Sequence, residues 1–186
     1  MAAHGSRPAL GEDAIVKAGP ILTALGELDE ALGVRTHPLL GRGSVHASTI
    51  NGGVELSSYP ARCVIGLERR TLPGETTEDI ERELARLGGD HRILLVREPF
   101  EVDSGAGIVS AVSEAAAAVL GTAPSMAGAS YWADAAFIAA AGIPTVMFGS
   151  GGEGAHAVEE WVSIADTVAV TRVLVAVAGE LCSART

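Results

Sequence analysis

Lysine and cysteine are scarce in this sequence of 186 residues, and their scarcity excludes several classes of protein. Lys17 is the single lysine, and the formal net charge of −10 at pH 7 argues against a nucleic-acid groove or an anionic membrane surface as a partner. The two cysteines, Cys63 and Cys182, lie far apart, so neither a disulfide framework nor a thiolate zinc site is indicated. We interpret both as small buried hydrophobic residues.

Long apolar runs are also missing. The N-terminal residues MAAHGSRPALGED contain no apolar core of a secretion signal. The longest weakly polar run, residues 135–149, contains Pro144 and is shorter than the ~18 residues that a membrane-spanning helix needs. With 48% hydrophobic residues the chain has enough apolar content for one domain or two small lobes. We expect an acidic cytoplasmic protein that binds a small ligand.

The most informative stretch is GIPTVMFGSGGEGAHAVEEWV, residues 142–162. Its apolar run, Ile143 to Phe148, predicts a buried strand that opens into a glycine-rich loop ending on His156. A histidine at the end of a buried strand is a common place for a ligand or catalytic group, although a surface-loop histidine with no task fits the pattern equally well. Glu160 follows four residues later, and on a helix the two would share a face, as structural salt links also do.

The first half of the chain alternates between helical and strand periodicity. Apolar residues recur every three or four positions after Glu12, and Pro20 predicts a kink in that helix. The resulting order is β-α-β-β-α-β with its first strand clipped, the segment ending at His4 being the remnant. The predicted elements are a helix from Glu12 to about Gly33, strands over residues 44–50 and 61–68, a helix capped by Thr76 or Thr77, and a strand over residues 92–96.

The second half begins where the composition shifts toward alanine, and we place the boundary between residues 102 and 103. Helices are predicted over residues 104–120 and 133–141. Ser163 caps a terminal helix from Ile164 to about Cys182. The side chains expected to point inward from that helix are Val168, Leu174, Val175 and Leu181.

Five motifs in a fixed order carry a resemblance to a known family. They are A-A-H-G-S-R-P, then N-G-G, then Y-P-A-R-C with L-E-R-R-T-L-P-G-E, then W-A-D-A, and finally G-I-P-T-V-M-F-G with G-A-H-A-V-E-E-W-V. Together the motifs resemble the C-terminal half of the acetylornithine deacetylase, succinyl-diaminopimelate desuccinylase and aminoacylase family. That family comprises di-zinc amidohydrolases and metallopeptidases. The resemblance covers essentially the whole chain.

The resemblance implies an α/β fold in two parts. Residues 1–102 are similar to a ferredoxin-like, β-α-β-β-α-β lid that forms the homodimer, here lacking part of its first strand. Residues 103–186 are similar to the returning end of a zinc-exopeptidase-like α/β catalytic domain. In this family the substrate is an N-acyl amino acid or a small peptide whose amide bond is hydrolysed.

The resemblance also assigns roles to individual residues. His156 matches the zinc-ligating histidine, and His4 matches a lid histidine that donates a hydrogen bond to the oxyanion in the partner subunit's site. Arg70 matches the arginine associated with the substrate carboxylate. Glu160 and Asp134 match positions that support the metal ligand from beside it. Further substrate-lining positions are Ser57, Trp132, Gly149, Gly151 and Gly152.

The family's remaining metal ligands and its Glu-Glu general base precede the lid, and these residues have no counterpart in the 186-residue sequence. A catalytic zinc needs three protein ligands, so we expect this chain alone not to bind zinc or cobalt tightly and to be inactive. Ser57 stands where many members carry asparagine, which leaves the substrate open. The alternatives are a non-catalytic homodimerisation module, a truncated remnant of such an enzyme, and a ferredoxin-like ligand-binding domain.

Overall fold

A computed structural model describes residues 1–183 and divides the chain into two compact units, one of Met1–Pro99 and one that begins at Phe100. Both α-helices and β-strands are present, so the chain has a mixed α/β structure. Among residues 1–183, no helix combines the length and the apolar content needed to cross a bilayer. Cys63 is half-buried and Cys182 is exposed, so the expectation that both cysteines are buried is wrong for Cys182, which lies at the end of the last helix.

The first unit is built on a long antiparallel ribbon. Its elements are β1 (Ala3–His4), a 3₁₀ helix (Pro8–Leu10), α1 (Ala14–Leu32), β2 (Thr36–His37), β3 (Gly41–Arg42), β4 (Ser44–Gly52), β5 (Ser58–Tyr59), β6 (Cys63–Arg70) and α2 (Thr77–Leu87). Strands β4 and β6 pair from Ser44 opposite Arg70 to Gly52 opposite Cys63, with a bulge between Ala47 and Thr49. Helix α1 packs on β4, where Val45 is buried.

Local signals position the helices of this unit. The Asp13 carboxylate accepts hydrogen bonds from the main-chain N–H groups of Ile15 and Val16 at the start of α1. Thr76 and Asp79 form a reciprocal capping box at the start of α2. Pro20 lies inside α1, which continues through it from Ala14 to Leu32.

The second unit is mainly helical. Its elements are α3 (Gly107–Leu120), α4 (Ala135–Ala140), β7 (Gly152–Glu153), β8 (Trp161–Val162) and α5 (Ile164–Cys182). Helices α3 and α5 pack on each other, and their buried cluster consists of Val112, Ala116, Val173 and Val177. The side chains of Val146 and Phe148 pack against this cluster from the segment that follows α4.

Two sequence-based strand predictions are wrong. Neither residues 92–96 nor residues 143–148 form a strand, although both segments are as apolar as expected. A strand requires a hydrogen-bonded neighbour, and among the described residues neither segment has one. In the first unit β1 is two residues long and pairs with β5, so it does not form strand hydrogen bonds with residues 92–96.

The inward face of α5 also differs from the prediction. Val168, Leu174, Val175 and Leu181 are 48%, 50%, 68% and 54% exposed, whereas Val173 and Val177 are buried against α3. Helix α5 carries apolar residues around its whole circumference, so their spacing does not select one face. The contact with α3 makes that selection.

Candidate functional site

The glycine-rich loop forms a narrow hairpin whose strands are β7 and β8. A Cβ at Gly152 would lie 2.2 Å from the carbonyl oxygen of Trp161, and a Cβ at Gly154 would lie 1.9 Å from that of Glu159. No side chain fits at such distances, so both positions require glycine. The hairpin is therefore closed by main-chain contact, and residues 154–160 form its loop.

His156 lies at the tip of this hairpin. The N–H of Ala157 donates to the carbonyl oxygen of Gly154 over 2.7 Å and closes a four-residue turn around the histidine. His156 has φ 65°, the left-handed region that non-glycine residues seldom adopt. Its exposed ring lies 5.6 Å from that of Tyr131, tilted by 52°. The loop thus presents an accessible imidazole against one aromatic neighbour.

Glu160, expected beside this histidine, lies in the same hairpin loop, whereas Asp134 lies outside the hairpin. The segment from His156 to Glu160 is the loop of a hairpin, so the helical spacing considered for the pair does not apply. Asp134 is exposed and directly precedes α4, where its carbonyl oxygen accepts from the N–H of Phe137. Among the described residues no hydrogen bond or ion pair joins either carboxylate to His156.

The other predicted lining residues of the second unit are distributed along the same stretch. The ring of Trp132, next to Tyr131, makes an edge contact with Phe137 at 4.9 Å. A Cβ at Gly151 would lie 2.5 Å from Asp166 Oδ2, because the loop passes close to the first turn of α5. Gly149 has open space around its Cα.

His4 lies in β1 of the first unit, with an exposed side chain. Its Nδ1 accepts from the main-chain N–H of Ser6 at 3.2 Å and lies 2.8 Å from Ser6 Oγ. Because a main-chain N–H can only donate, Nδ1 must be the acceptor of the neutral ring, and the ring proton is on Nε2. The turn after β1 therefore fixes the tautomer that presents an N–H donor to solvent.

Ser57 is brought close to His4 by the β1–β5 pairing. His4 lies opposite Ser58, and the N–H of Gly5 donates to the Ser57 carbonyl oxygen at 2.7 Å. Hydrogen bonds from the hydroxyls of Ser58 and Ser57 lower the pKa of Glu55 below its ordinary value. Thus two of the predicted site residues, His4 and Ser57, lie together beside an additional carboxylate.

Arg70 ends β6 on the exposed face of the ribbon. Its Nη2 lies 3.0 Å from Glu68 Oε1, and Glu68 Oε2 lies 3.8 Å from His46 Nε2 on the neighbouring strand. Within residues 1–183 no hydrogen bond or ion pair connects Arg70 with His4 or Ser57. Arg70 is the last residue of β6, whereas β5, which pairs with the strand of His4, precedes the first residue of β6. The length of β6 therefore separates Arg70 from β5 along the chain.

Sequence reasoning missed a buried arginine, Arg69, which directly precedes Arg70 in the chain. The Arg69 side chain is 5% exposed and binds Glu75 at 2.7 Å and Glu83 at 2.9 Å. Burial would lower the pKa of this guanidinium, but the hydrogen bonds and charges of Glu83 and Glu75 outweigh it and raise the pKa. Its Nη1 donates to the carbonyl oxygen of Arg70 at 2.5 Å, so the network also fixes the main chain that carries Arg70.

A signal for Arg69 was present in the sequence. The residues predicted to share the inner face of this strand are Cys63, Ile65 and Leu67, and residue 69 is next in that alternation. A charged residue in phase with a buried face indicates an internal ion pair.

The donors of the chain do not make up a metal site on their own. Among residues 1–183 no group of three or more His, Cys, Asp or Glu side chains is close enough to hold a metal ion. A catalytic zinc site uses three protein ligands and an open position. His156 alone does not meet that requirement.

Comparison with known proteins gives a consistent picture. The model of the peptidase family M20/M25/M40 matches residues 10–180. The succinyl-diaminopimelate desuccinylase of Magnetococcus marinus is 27% identical over 177 residues, which are 91% of this chain and 46% of that enzyme. The uncharacterized protein YgeY of Escherichia coli (strain K12) is 36% identical over 93 residues, covering 47% of this chain and 21% of that protein.

Solved structures share the fold at lower sequence identity. Aminopeptidase PepT from Bacillus cereus superposes with a TM-score of 0.67 at 22% identity, covering 98% of this chain and 49% of that one. The M20 family metallo-carboxypeptidase Sso-CP2 from Sulfolobus solfataricus gives 0.67 at 19% identity, covering 95% and 54%. The chain therefore spans about half the length of these structures and of the desuccinylase.

Proposed function

Because the chain belongs to the peptidase family M20/M25/M40, we propose that it forms part of a metal-dependent hydrolase that cleaves the amide bond of an N-acyl amino acid or small peptide. The observation that carries the proposal is the family match over residues 10–180, which includes the loop with His156. Activity against an acetylornithine-like substrate is the more specific form of this proposal.

In this proposal the two units have different tasks. The first unit, together with residues up to 102, is the ferredoxin-like lid through which two copies form a homodimer. The second, residues 103–186, is part of the zinc-exopeptidase-like catalytic domain. Within residues 1–183 the outer edges of the β4–β6 ribbon have no strand partner, which supports a dimerising role, because an open edge can pair with a second copy. The free thiols of Cys63 and Cys182 agree with a cytoplasmic location.

His156 would supply one ligand of a zinc or cobalt centre. Its support is the left-handed turn that holds the imidazole exposed at the tip of a hairpin. Since residues 1–183 contain no group of three such donors, a complete ligand set needs further ligands from other polypeptide. The proposed roles of Glu160 and Asp134 as supports of this ligand depend on that assembled centre.

His4 would stabilise the oxyanion in the site of the partner subunit. The Ser6 N–H keeps Nδ1 as an acceptor, so Nε2 carries a proton and is ready to donate. A donor fixed in advance stabilises charge that develops only in the transition state, and removing one typically costs about 10² to 10³ in rate. Ser57 lies beside His4 and would contact the same part of the substrate.

Arg70 would bind the substrate carboxylate. Its planar guanidinium can donate two parallel hydrogen bonds to such a group. Glu68 engages one Nη atom at 3.0 Å and leaves the remaining donors of the fork for the ligand. In the second unit, Trp132, Gly149, Gly151 and Gly152 would contact the substrate.

A chimaera tests the proposal. Residues 1–186 replace the matched portion of the Magnetococcus marinus desuccinylase, and hydrolysis of N-succinyl and N-acetyl amino acids is measured with zinc or cobalt. We expect metal-dependent activity that His156→Ala abolishes and His4→Ala lowers by about 10² to 10³. His91→Ala, which changes a histidine paired with Glu81, is the control and should leave the rate unchanged. Full activity of the His156→Ala chimaera would refute the ligand role.

The isolated chain gives a second test. Calorimetric titration of the 186-residue chain with zinc should show no tight stoichiometric binding, and no amide hydrolysis should be detected. Sub-micromolar binding with turnover of N-acetylornithine would contradict the proposal that the metal centre is shared with other polypeptide.

A non-catalytic homodimerisation module is the second candidate function. It is favoured by the open edges of β4 and β6 together with the missing ligand set in residues 1–183. It predicts a stable dimer in solution and a chimaera that folds but remains inactive with either metal.

A further inference from the structure

The outward face of the β4–β6 ribbon carries a row of polar side chains. Helix α1 packs on the opposite face, where Val45 is buried. In the register of the two strands His46 lies opposite Glu68, and Ser44 lies opposite Arg70. Residues two apart on a strand share a face, so these four side chains are neighbours on one surface.

Glu68 lies within this row and approaches a different neighbour with each oxygen. Its Oε1 lies 3.0 Å from Arg70 Nη2, and its Oε2 lies 3.8 Å from His46 Nε2. The first distance is that of a direct ion pair, whereas the second is longer than a hydrogen bond. The main partner of the Glu68 carboxylate is therefore Arg70, the residue that would bind the substrate carboxylate.

The main chain of Arg70 is held from the buried side of the ribbon. Arg69 Nη1 donates to the Arg70 carbonyl oxygen at 2.5 Å, and Arg69 is itself fixed by two buried ion pairs. A Cβ at Gly43 would lie 2.8 Å from Arg69 Nη1 and 3.0 Å from that carbonyl oxygen, so a larger residue would crowd this contact. Arg70 is thus held at both ends, its main chain by Arg69 and its guanidinium by Glu68.

The Glu68–Arg70 pair should contribute little to folding. Both side chains are about half exposed, and water screens ion pairs at such positions. The pair does restrict the guanidinium, whose long side chain otherwise samples many rotamers. A binding group that is already ordered loses less entropy when its ligand arrives. The effect of Glu68 on binding can therefore be measured without unfolding the first unit.

We propose that Glu68 is a positioning residue, which holds the Arg70 guanidinium so that its remaining donors bind the substrate carboxylate. Because His46 lies nearest the second oxygen, Glu68 engages Arg70 through Oε1 and leaves donors of the fork free. The alternative is that Glu68 competes with the substrate for Arg70, and it predicts the opposite effect on affinity. This inference rests on the proposed function, because a substrate carboxylate is the group that would use the positioned fork.

Nitrogen-15 NMR of the 186-residue chain tests the contact without any activity. Rotation of the Arg70 guanidinium about its Nε–Cζ bond should be at least ~3-fold faster in Glu68→Ala than in wild type, since a charge-assisted contact is lost. The guanidinium of Arg69 should rotate equally slowly in both proteins, which also checks that the ribbon is folded. Equal rotation rates of Arg70 in the two proteins would overturn the positioning role.

The chimaera with the Magnetococcus marinus desuccinylase tests the effect on the substrate. Glu68→Ala should raise KM for N-acyl amino acids at least ~10-fold and leave kcat nearly unchanged, because the lost interaction is the same in ground and transition state. With the corresponding N-acyl amino acid amides, which lack the carboxylate, the substitution should not change KM. A raised KM for both kinds of substrate would indicate a merely structural role. A lowered KM for the carboxylates would show that Glu68 competes with the substrate.

Three further variants complete the comparison. Glu68→Asp keeps a carboxylate within reach of the long arginine side chain and should recover most of the affinity. Glu81→Ala removes a similarly exposed glutamate that pairs with His91 in the same unit, and it should leave KM unchanged for both kinds of substrate. In a chimaera that already carries Arg70→Ala, Glu68→Ala should have no additional effect, because the two side chains act as one unit. An undiminished effect in that background would overturn the positioning role.

The outcomes separate this inference from the proposed function. An inactive chimaera, combined with rotation of Arg70 that depends on Glu68, would reject the proposed function and support the positioning of Arg70. Metal-dependent hydrolysis with a KM that Glu68→Ala does not change would keep the proposed function and overturn the positioning residue.

Discussion

The two units differ in how much of their main-chain pairing they complete within the described chain. In the first, the two longest strands, β4 and β6, pair with each other along eight registered positions. In the second, β7 and β8 are two residues each, and the apolar segment Ile143–Phe148 has no strand partner among residues 100–183. The comparison teaches that similar apolar runs become strands only where a partner strand is available.

The units also differ in what stabilises them. The first unit contains a buried charged network around Arg69. The second relies on contacts among small apolar residues of α3 and α5, of which Val173 is the largest fully buried side chain. In the first unit the largest mutational losses of stability should therefore come from removing charges. In the second unit they should come from creating cavities.

The largest expected effect is in the first unit. Arg69→Met removes the single cation between Glu75 and Glu83 and leaves two shielded carboxylates unpaired, which should destabilise this unit by about 3–5 kcal/mol. Urea unfolding with exchange of the β6 amides as the probe measures it. Arg82→Met is the control: it breaks an exposed pair with Asp79 and should cost less than about 1 kcal/mol. Equal losses for the two variants would contradict a buried network.

A smaller effect is expected in the second unit. Val173→Ala removes two methyl groups from a fully buried position and should cost about 2 kcal/mol. Val175→Ala, two positions along α5 at a site that is 68% exposed, should stay within about 0.5 kcal/mol. The losses of stability of the two variants are compared by thermal unfolding, with hydrogen exchange of the α3 amides as the probe. A larger loss for Val175→Ala would mean that this side of α5 is covered in solution.

Sequence reasoning predicted the elements that depend on local signals. Helices α2 and α5 begin after Thr76 and Ser163, whose side chains accept hydrogen bonds from the first-turn amides, and such caps are readable from a few residues. The strands β4 and β6 were found close to their observed bounds because each has its partner nearby in the sequence. Membership of the family followed from five motifs in order, and the family match confirms it.

Non-local features were beyond the same reasoning. Whether residues 92–96 or 143–148 pair depends on a neighbour that their own sequence does not contain. The inward face of α5 is chosen by α3, since α5 is apolar on all sides. At the candidate site, the sequence identified the glycine-rich loop and its histidine. The left-handed turn at His156 and the pairing of His4 with Ser58 depend on the tertiary structure. The roles of these residues stay predictions.

The smallest expected effect separates the units by their response to acid. Asp29 accepts from the main-chain N–H of Val45 at 3.0 Å and from Arg42, and these bonds lower the pKa of its carboxyl below the ordinary 3.8. A carboxyl with a lowered pKa in the folded state stabilises that state above its unfolded pKa, and the stabilisation is lost as pH falls through the folded value. Below about pH 4 the first unit should therefore lose this contribution, which ties β4 to α1.

The measurement compares wild type with Asp29→Asn by urea unfolding at several pH values. Amides of α3 in the second unit serve as the internal reference, because Asp29 does not lie in that unit. Asp29→Asn should weaken the first unit at neutral pH, and the difference from wild type should shrink as the solution is acidified, since the wild-type carboxyl then becomes protonated as well. A difference that stays constant from neutral pH to about pH 3 would show that the Asp29 carboxyl has the same pKa in the folded and unfolded chain, and that geometry rather than charge joins α1 to β4.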